Sequence, residues 1–251
     1  MQDAVSAKPV CGDTYAQMFM NEDGLRILEA FKDEVRPNAG NVARHRIIDD
    51  FLRRELAANP GLQIVLIGAG FDSRAYRLHG GKWIELDEPQ IISYKNERLP
   101  VAGCKNKLQR IAIDFSADAL EQKLAPVSSH DPVIVVMEGV FMYLEEDAIR
   151  RLLHTLCRLF PRHKLVCDLM DRRFFEKYSR TLHEKITGMG TKFIITDKPD
   201  EIFIKNGYRC VERVSIVGQA SAWGSVGIPR ILLRLFLHTL AHGYAVRVFE
   251  S

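Results

Sequence analysis

The feature that most constrains this chain is the segment Ile64-Val65-Leu66-Ile67-Gly68-Ala69-Gly70-Phe71-Asp72-Ser73-Arg74, an apolar, largely β-branched run that passes straight into a Gly-x-Gly turn. A strand that is apolar throughout has both faces covered, as in parallel sheets with helices packed on either side. Glycines placed directly after it let the backbone approach a ligand closely and leave main-chain N–H groups free at the start of a helix. Taken alone, the turn is equally well explained as a plain strand-to-helix connection. Ser73 stands where a full dinucleotide fingerprint has its third glycine.

The remainder of the chain extends this pattern. Short β-rich runs alternate with amphipathic stretches and predict strands over Gln63–Ile67, Lys82–Leu86, Leu108–Ile113, Pro132–Met137 and Lys164–Leu169, hence an α/β fold with a mainly parallel sheet. Between Glu145 and Phe160, Ile149, Leu152, Leu153, Leu156 and Leu159 recur at helical spacing behind an acidic first turn. Two helices, about Asp23–Val35 and Asn41–Ala57, are expected before the sheet. After Leu169 the alternation loosens. A polar stretch covers 171–198, followed by a helix near Pro199–Asn206, a strand near Tyr208–Val217, a loop Gly218–Gly227 holding Trp223, an apolar helix Pro229–Leu240 and a last strand Tyr244–Phe249. With no internal repeat and no linker, 1–251 is expected to form a single domain: a helical cap (1–60), a ligand-binding core (61–170) and lid insertions at 171–198 and 218–240.

Composition excludes several classes of function. Thirty-five basic and 32 acidic residues leave a formal charge of +3, and the bases sit among acids, as in Arg53-Arg54-Glu55. That is neither a nucleic-acid-binding stripe nor a polybasic membrane anchor. No apolar run approaches the ~18 residues of a membrane span, and Met1-Gln2-Asp3-Ala4-Val5-Ser6 lacks the regions of a signal peptide, so a cytoplasmic location is expected. Five cysteines without a CxxC pair read as reduced thiols. His238 and His242 have i, i+4 spacing but no HExxH glutamate or evident third ligand, so no metal is expected.

Acids recur at the carboxyl ends of successive strands, the edge where open α/β sheets bind ligands. Glu85 and Asp87 fall 15 and 17 residues after Gly70. They share strand parity, and a carboxylate at that tip can accept hydrogen bonds from both ribose hydroxyls of an adenosine. Asp87, nearer the carboxyl end, is favoured. The third strand ends in Asp114-Phe115, which can meet an adenine amino group and ring, and the fourth in Glu138-Gly139.

The ordered series Gly68-Ala69-Gly70-Phe71-Asp72-Ser73-Arg74-Ala75-Tyr76-Arg77-Leu78, Glu85-Leu86-Asp87-Glu88-Pro89, Asp114-Phe115 and Glu138-Gly139-Val140-Phe141-Met142-Tyr143-Leu144 resembles the motifs of the leucine carboxyl methyltransferase superfamily. Its bacterial branch includes S-adenosylmethionine-dependent O-methyltransferases of polyketide and other secondary metabolism. The resemblance extends over about residues 3–250 and implies a class I, Rossmann-like methyltransferase fold of seven strands with the last antiparallel. It further implies that Gly68 and Gly70 line the methionine part of S-adenosyl-L-methionine, that Ala69 and Asp72 also belong to the cofactor site, and that Asp87 holds its ribose. Asp114 and Phe115 would bracket the adenine, Glu138 would bind the α-amino group, and Arg44 in Ala43-Arg44-His45-Arg46 would pair with the carboxylate.

The implied reaction is in-line methyl transfer to a hydroxyl or carboxylate of a small molecule. Such chemistry asks mainly for positioning and exclusion of water. An alcohol or phenol would benefit from a base, and Tyr143 is the candidate. A buried hydroxyl satisfied by backbone is the competing explanation for Tyr143. His183 and Trp223 fall in the insertions without an assignable role. The apolar 229–240 segment is expected in the core or at a subunit contact, or as a wall of an acceptor pocket; the oligomeric state is open, a homodimer included. Two rival functions remain: a nicotinamide oxidoreductase, weakened by Ser73 and by the absence of a YxxxK pair, and a cofactor-binding protein without turnover.

Overall fold

The computed structural model describes residues 3–188, 190 and 192–251. In chain order its elements begin with α1 (Glu22–Phe31), α2 (Val35–Ala58), β1 (Gln63–Ile67), α3 (Arg74–Arg77), β2 (Lys82–Asp87), α4 (Pro89–Arg98), β3 (Lys107–Ala112), α5 (Leu120–Leu124), β4 (Val133–Met137) and α6 (Glu146–Leu159). They continue with β5 (His163–Met170), α7 (Arg172–Phe174), α8 (Arg180–Thr187), α9 (Glu201–Lys205), β6 (Arg209–Ser215), α10 (Ile216–Ala222), α11 (Arg230–Phe236), α12 (His238–His242) and β7 (Tyr244–Glu250). The strands form one seven-stranded sheet in the order β3-β2-β1-β4-β5-β7-β6. β1 to β5 pair in parallel, and β7 inserts antiparallel between β5 and β6.

Side-chain alternation explains the two layers of core. Ile64 and Leu66 face Ile48, Leu52 and Trp83, whereas Val65 and Ile67 face Leu153, Leu156 and Phe249. Each such side chain, fully withdrawn from water, contributes roughly 1.5–3 kcal/mol. Chain order reverses at β1, whose neighbours are β2 and β4. The crevice beyond the carboxyl ends of these strands is therefore the place for a ligand.

Three local expectations are corrected. The second helix begins at Val35 rather than Asn41, because Pro37 sits in its first turn, where a missing N–H costs nothing. The expected loop 218–227 starts inside α10: the Ser215 hydroxyl accepts from the Gly218 amide at 2.9 Å and ends β6, while Ile216 and Ala220 bury fully. The apolar 229–240 segment breaks at Leu237, with φ −120° and ψ 46°, into α11 and α12. Its outer face is not core, since Ile231 is 66%, Leu235 64% and Phe236 74% exposed; among the described residues of that stretch Leu233 alone is buried.

Candidate functional site

The Gly-x-Gly turn is held by β2. The amides of Gly68 and Ala69 donate to the Leu86 carbonyl at 3.0 and 2.9 Å, and the Gly70 amide donates to Asp87 Oδ2 at 2.5 Å. Gly68 has φ +70°, and a Cβ there would lie 2.8 Å from Val140 Cγ2. A Cβ on Gly70 would meet nothing within 4 Å, so the turn opens onto free space at that residue. Asp87 stands at this opening. Glu85 does not, for it is fully buried, accepts from Arg110 Nε at 2.8 Å and lies 2.8 Å from Lys95 Nζ. The two acids share a face, but Glu85 is a structural counter-ion.

Asp114 and Phe115 follow β3 on the same edge. The Asp114 carboxylate accepts from the Ser116 hydroxyl at 2.6 Å and the Ser116 amide at 2.9 Å, and these bonds hold it below the usual carboxylate range. The turn so fixed presents Phe115, which is 44% exposed. Residues 13–20 pack against the opposite flank: Phe19 stacks on Phe71 at 4.8 Å, and the Tyr94 hydroxyl donates to the Phe19 carbonyl.

Glu138, in the turn after β4, is the centre of a charged network. Arg44 Nε donates to Glu138 Oε1 at 3.0 Å, Arg74 Nη2 to Glu138 Oε2 at 2.8 Å, and His45 Nδ1 lies 3.2 Å from the same oxygen. Burial would raise the Glu138 carboxyl, but Arg74, His45 and Arg44 outweigh it and hold it well below its ordinary value. Arg44 also reaches Asp168 Oδ2 at 3.2 Å and the Tyr244 hydroxyl at 2.7 Å, and Asp168 Oδ1 accepts from the Gly139 amide at 2.6 Å. Arg46, two residues along α2, turns elsewhere, to Asp50, the Val10 carbonyl and the Trp223 ring.

Asp72 points into this network rather than at the open turn, pairing with Arg74 through its Oδ2 while its Oδ1 accepts from the Arg74 amide at 2.7 Å. Arg74 is fully buried and also binds Asp49 at 2.6 Å. Donor atoms of His45, Asp72 and Glu138 lie within 4.8 Å of one another. Arg74 bonds all three, so a guanidinium is the cation they already hold. The rings of His238 and His242 are 4.6 Å apart, and no third donor joins them among the described residues. Cys11 sits beside Asp49, and burial with that charge pushes its thiol up to about 12, far from a thiolate nucleophile.

Gly139, Met142 and Tyr143 also line an apolar cavity of about 360 Å³. Its walls include Gly139, Met142 and Tyr143 from this turn, Arg36, Gly40 and Arg44 from α2, Phe174 and Tyr178 beyond β5, and Ile228 and Leu240 from the later insertion. Tyr143 is 41% exposed and its ring lies 5.1 Å from that of Phe193. Burial raises its phenol above the ordinary value. At neutral pH it is a hydrogen-bond donor and a poor base. The side chain of His183 lies outside the described residues, and Trp223 packs on the core under Arg46.

Sequence reasoning missed His45, Asp49, Asp168 and Tyr244 as members of the network. Asp168 had a legible signal, a lone charge in Leu165-Val166-Cys167-Asp168-Leu169, a strand buried on both faces. His45 and Asp49 share a face of α2 at i, i+4 spacing, but nothing in the sequence shows that this face looks at Arg74.

The sheet order, the antiparallel β7 and the placement of the glycine turn define the class I methyltransferase fold. Solved structures of that class align over most of the chain: magnesium protoporphyrin IX methyltransferase from Synechocystis PCC 6803 with bound S-adenosylhomocysteine (TM-score 0.53, 14% identity, 95% of this chain and 99% of that one) and mitomycin 7-O-methyltransferase (TM-score 0.51, 14% identity, 96% and 61%). The family profile described as leucine carboxyl methyltransferase matches residues 1–157, and the chain belongs to this family of S-adenosylmethionine-dependent methyltransferases. A relative from Mycobacteroides abscessus, provisionally named as such an enzyme, is 32% identical over 59% of this chain and 54% of its own length. Another with the same provisional name, from Mycolicibacterium vanbaalenii, is 29% identical over 73% of this chain and 67% of its own length. The chain spans about half the length of several of the curated relatives it matches. Among the described residues no helix is long and apolar enough to cross a membrane.

Proposed function

We propose that this chain is an O-methyltransferase that uses S-adenosyl-L-methionine to methylate a hydroxyl or carboxylate of a small molecule. One observation carries this reading. The segment Glu138–Tyr143 contributes Glu138 to the charged site on one side and Gly139, Met142 and Tyr143 to the apolar cavity on the other, with Arg44 bordering both. A cofactor over the glycine turn and an acceptor in the cavity would thus meet across one short stretch of backbone.

The residues suit the group they would hold. The opening at Gly70 admits a ligand against the main chain of Gly68, Ala69 and Gly70; Asp87 offers acceptor oxygens to a ribose, and Phe115 an exposed ring face to an adenine beside Asp114. Glu138 would take an ammonium and Arg44 a carboxylate. Asp72 supports Arg74 and acts at one remove. When bound, the sulfonium supplies an activated methyl group. The protein's part is to align the acceptor oxygen and exclude water, for which insertions 171–198 and 218–240 provide the apolar walls. Tyr143, a phenol at neutral pH, would orient the acceptor by donating a hydrogen bond.

Isothermal titration with S-adenosylhomocysteine, beside NADH and NADPH, tests the cofactor. Micromolar binding of the first alone, about −8 kcal/mol, is expected. Binding of a nicotinamide instead would overturn the reading. Transfer of a labelled methyl group to a panel of phenols and acids then separates an enzyme from a binding protein.

A further inference from the structure

We propose that the acceptor is an amphiphile: its apolar body fills the 360 Å³ cavity, and an anionic group at the end remote from the methylated oxygen is held by Arg36. This rests on the cavity being the acceptor site. Arg36, Gly40 and Arg44 lie on one stripe of α2 at i, i+4, i+8 and all three border the cavity. Eight residues of helix separate the two arginines by about 12 Å. Arg44 marks the end next to the cofactor site, and its guanidinium is already bonded to Glu138, Asp168 and Tyr244. Arg36 marks the other end. It is exposed, and among the described residues it has no ion-pair or hydrogen-bond partner.

The helix gains nothing from a cation there. A positive charge in the first turn opposes the macrodipole, whose own positive end adds to the field that an anion would meet. The rest of the lining is mostly apolar, with aromatic and thioether side chains such as Met142, Met170, Phe174 and Phe193 beside aliphatic ones such as Leu182 and Ile216. The turn Phe175–Ser179 is π-helical, and it brings the consecutive residues Tyr178 and Ser179 both to the cavity. Single π turns of this kind recur at functional sites. A pocket this size, at the lower end of the ~300–1,000 Å³ range of small-molecule sites, selects a compact body with one charged end.

The probe is 6-hydroxy-2-naphthoate, rigid, fluorescent, with hydroxyl and carboxylate at opposite ends, compared with its neutral carboxamide. Both are titrated into the full chain saturated with S-adenosylhomocysteine. The acid is expected to bind about tenfold tighter than the amide. Arg36→Gln should remove that preference by weakening the acid alone, and Arg36→Lys should restore most of it, with S-adenosylhomocysteine affinity unchanged in both variants. Equal binding of acid and amide, an unaltered preference in Arg36→Gln, or no binding of either probe at millimolar concentration would each overturn the proposal. Loss of S-adenosylhomocysteine binding by the parent chain would instead overturn the methyl-transfer reading itself.

Discussion

Arg44 and Glu138, 94 residues apart in the chain, are bonded to each other through Arg44 Nε and Glu138 Oε1 at 3.0 Å. These are the two groups proposed to meet opposite ends of the cofactor's amino-acid moiety. The pair stands in for that zwitterion, and each member has further partners: Asp168 and Tyr244 for Arg44, Arg74 and His45 for Glu138. A ligand can therefore part them without stranding a buried charge, which is the costly event in such networks.

Glu138→Gln should weaken S-adenosylhomocysteine by about 1.5–3 kcal/mol, roughly 10- to 150-fold, through loss of charge-assisted hydrogen bonds. The same variant should bind 5′-methylthioadenosine, which lacks the ammonium and carboxylate, as the parent does. Equal losses for the two ligands would show that Glu138 acts on the fold rather than on the amino-acid end.

Asp87→Ala should weaken both ligands, since both carry the ribose. About 1.5–3 kcal/mol is expected for each by calorimetry. Unchanged affinity in a variant that melts like the parent would remove the ribose assignment; the carboxylate's role would then be to accept from the Gly70 amide at 2.5 Å and the Glu88 amide at 2.7 Å.

Gly68→Ala places a Cβ at φ +70° and 2.8 Å from Val140 Cγ2. Left-handed strain and the clash together should lower stability by about 1–3 kcal/mol in urea unfolding. Stability equal to the parent would mean that the turn and Val140 relax at no cost.

Asp49 governs part of the response to acid. Burial by itself would raise its carboxyl, but Arg74, Arg77 and His45 outweigh burial and hold it below the ordinary range. A carboxyl depressed by folding contributes its stability above the unfolded value, about pH 4, and loses it as pH falls on toward the folded value. The thermal midpoint should therefore drop between pH 5 and pH 2. In Asp49→Asn, less stable at pH 6, the drop should be shallower, and parallel curves for the two proteins would exclude this contribution.

Much of the fold is legible along the chain because the signals are local. Ile64–Ile67 is apolar on both faces and ends in glycines, Glu146–Leu159 repeats every three to four residues, and Tyr244–Phe249 lies within the observed last strand. Where local signals mislead, a distant contact or a cap is the cause. Gly218 reads as the start of a loop, yet the Ser215 hydroxyl and the burial of Ile216 and Ala220 begin a helix two residues before it.

The candidate site divides in the same way. The glycine turn and the acids at the strand ends are properties of short segments, so sequence alone places Gly68, Gly70, Asp87, Asp114 and Glu138 on one edge of a sheet. It does not say which charges neutralise one another. That Glu85 belongs to Lys95 and Arg110, that Asp72 belongs to Arg74, and that Arg44 rather than Arg46 reaches Glu138 are facts of tertiary packing. Coulomb attraction between buried groups depends on distances of a few ångström between elements far apart in the chain, and only the folded arrangement sets those distances.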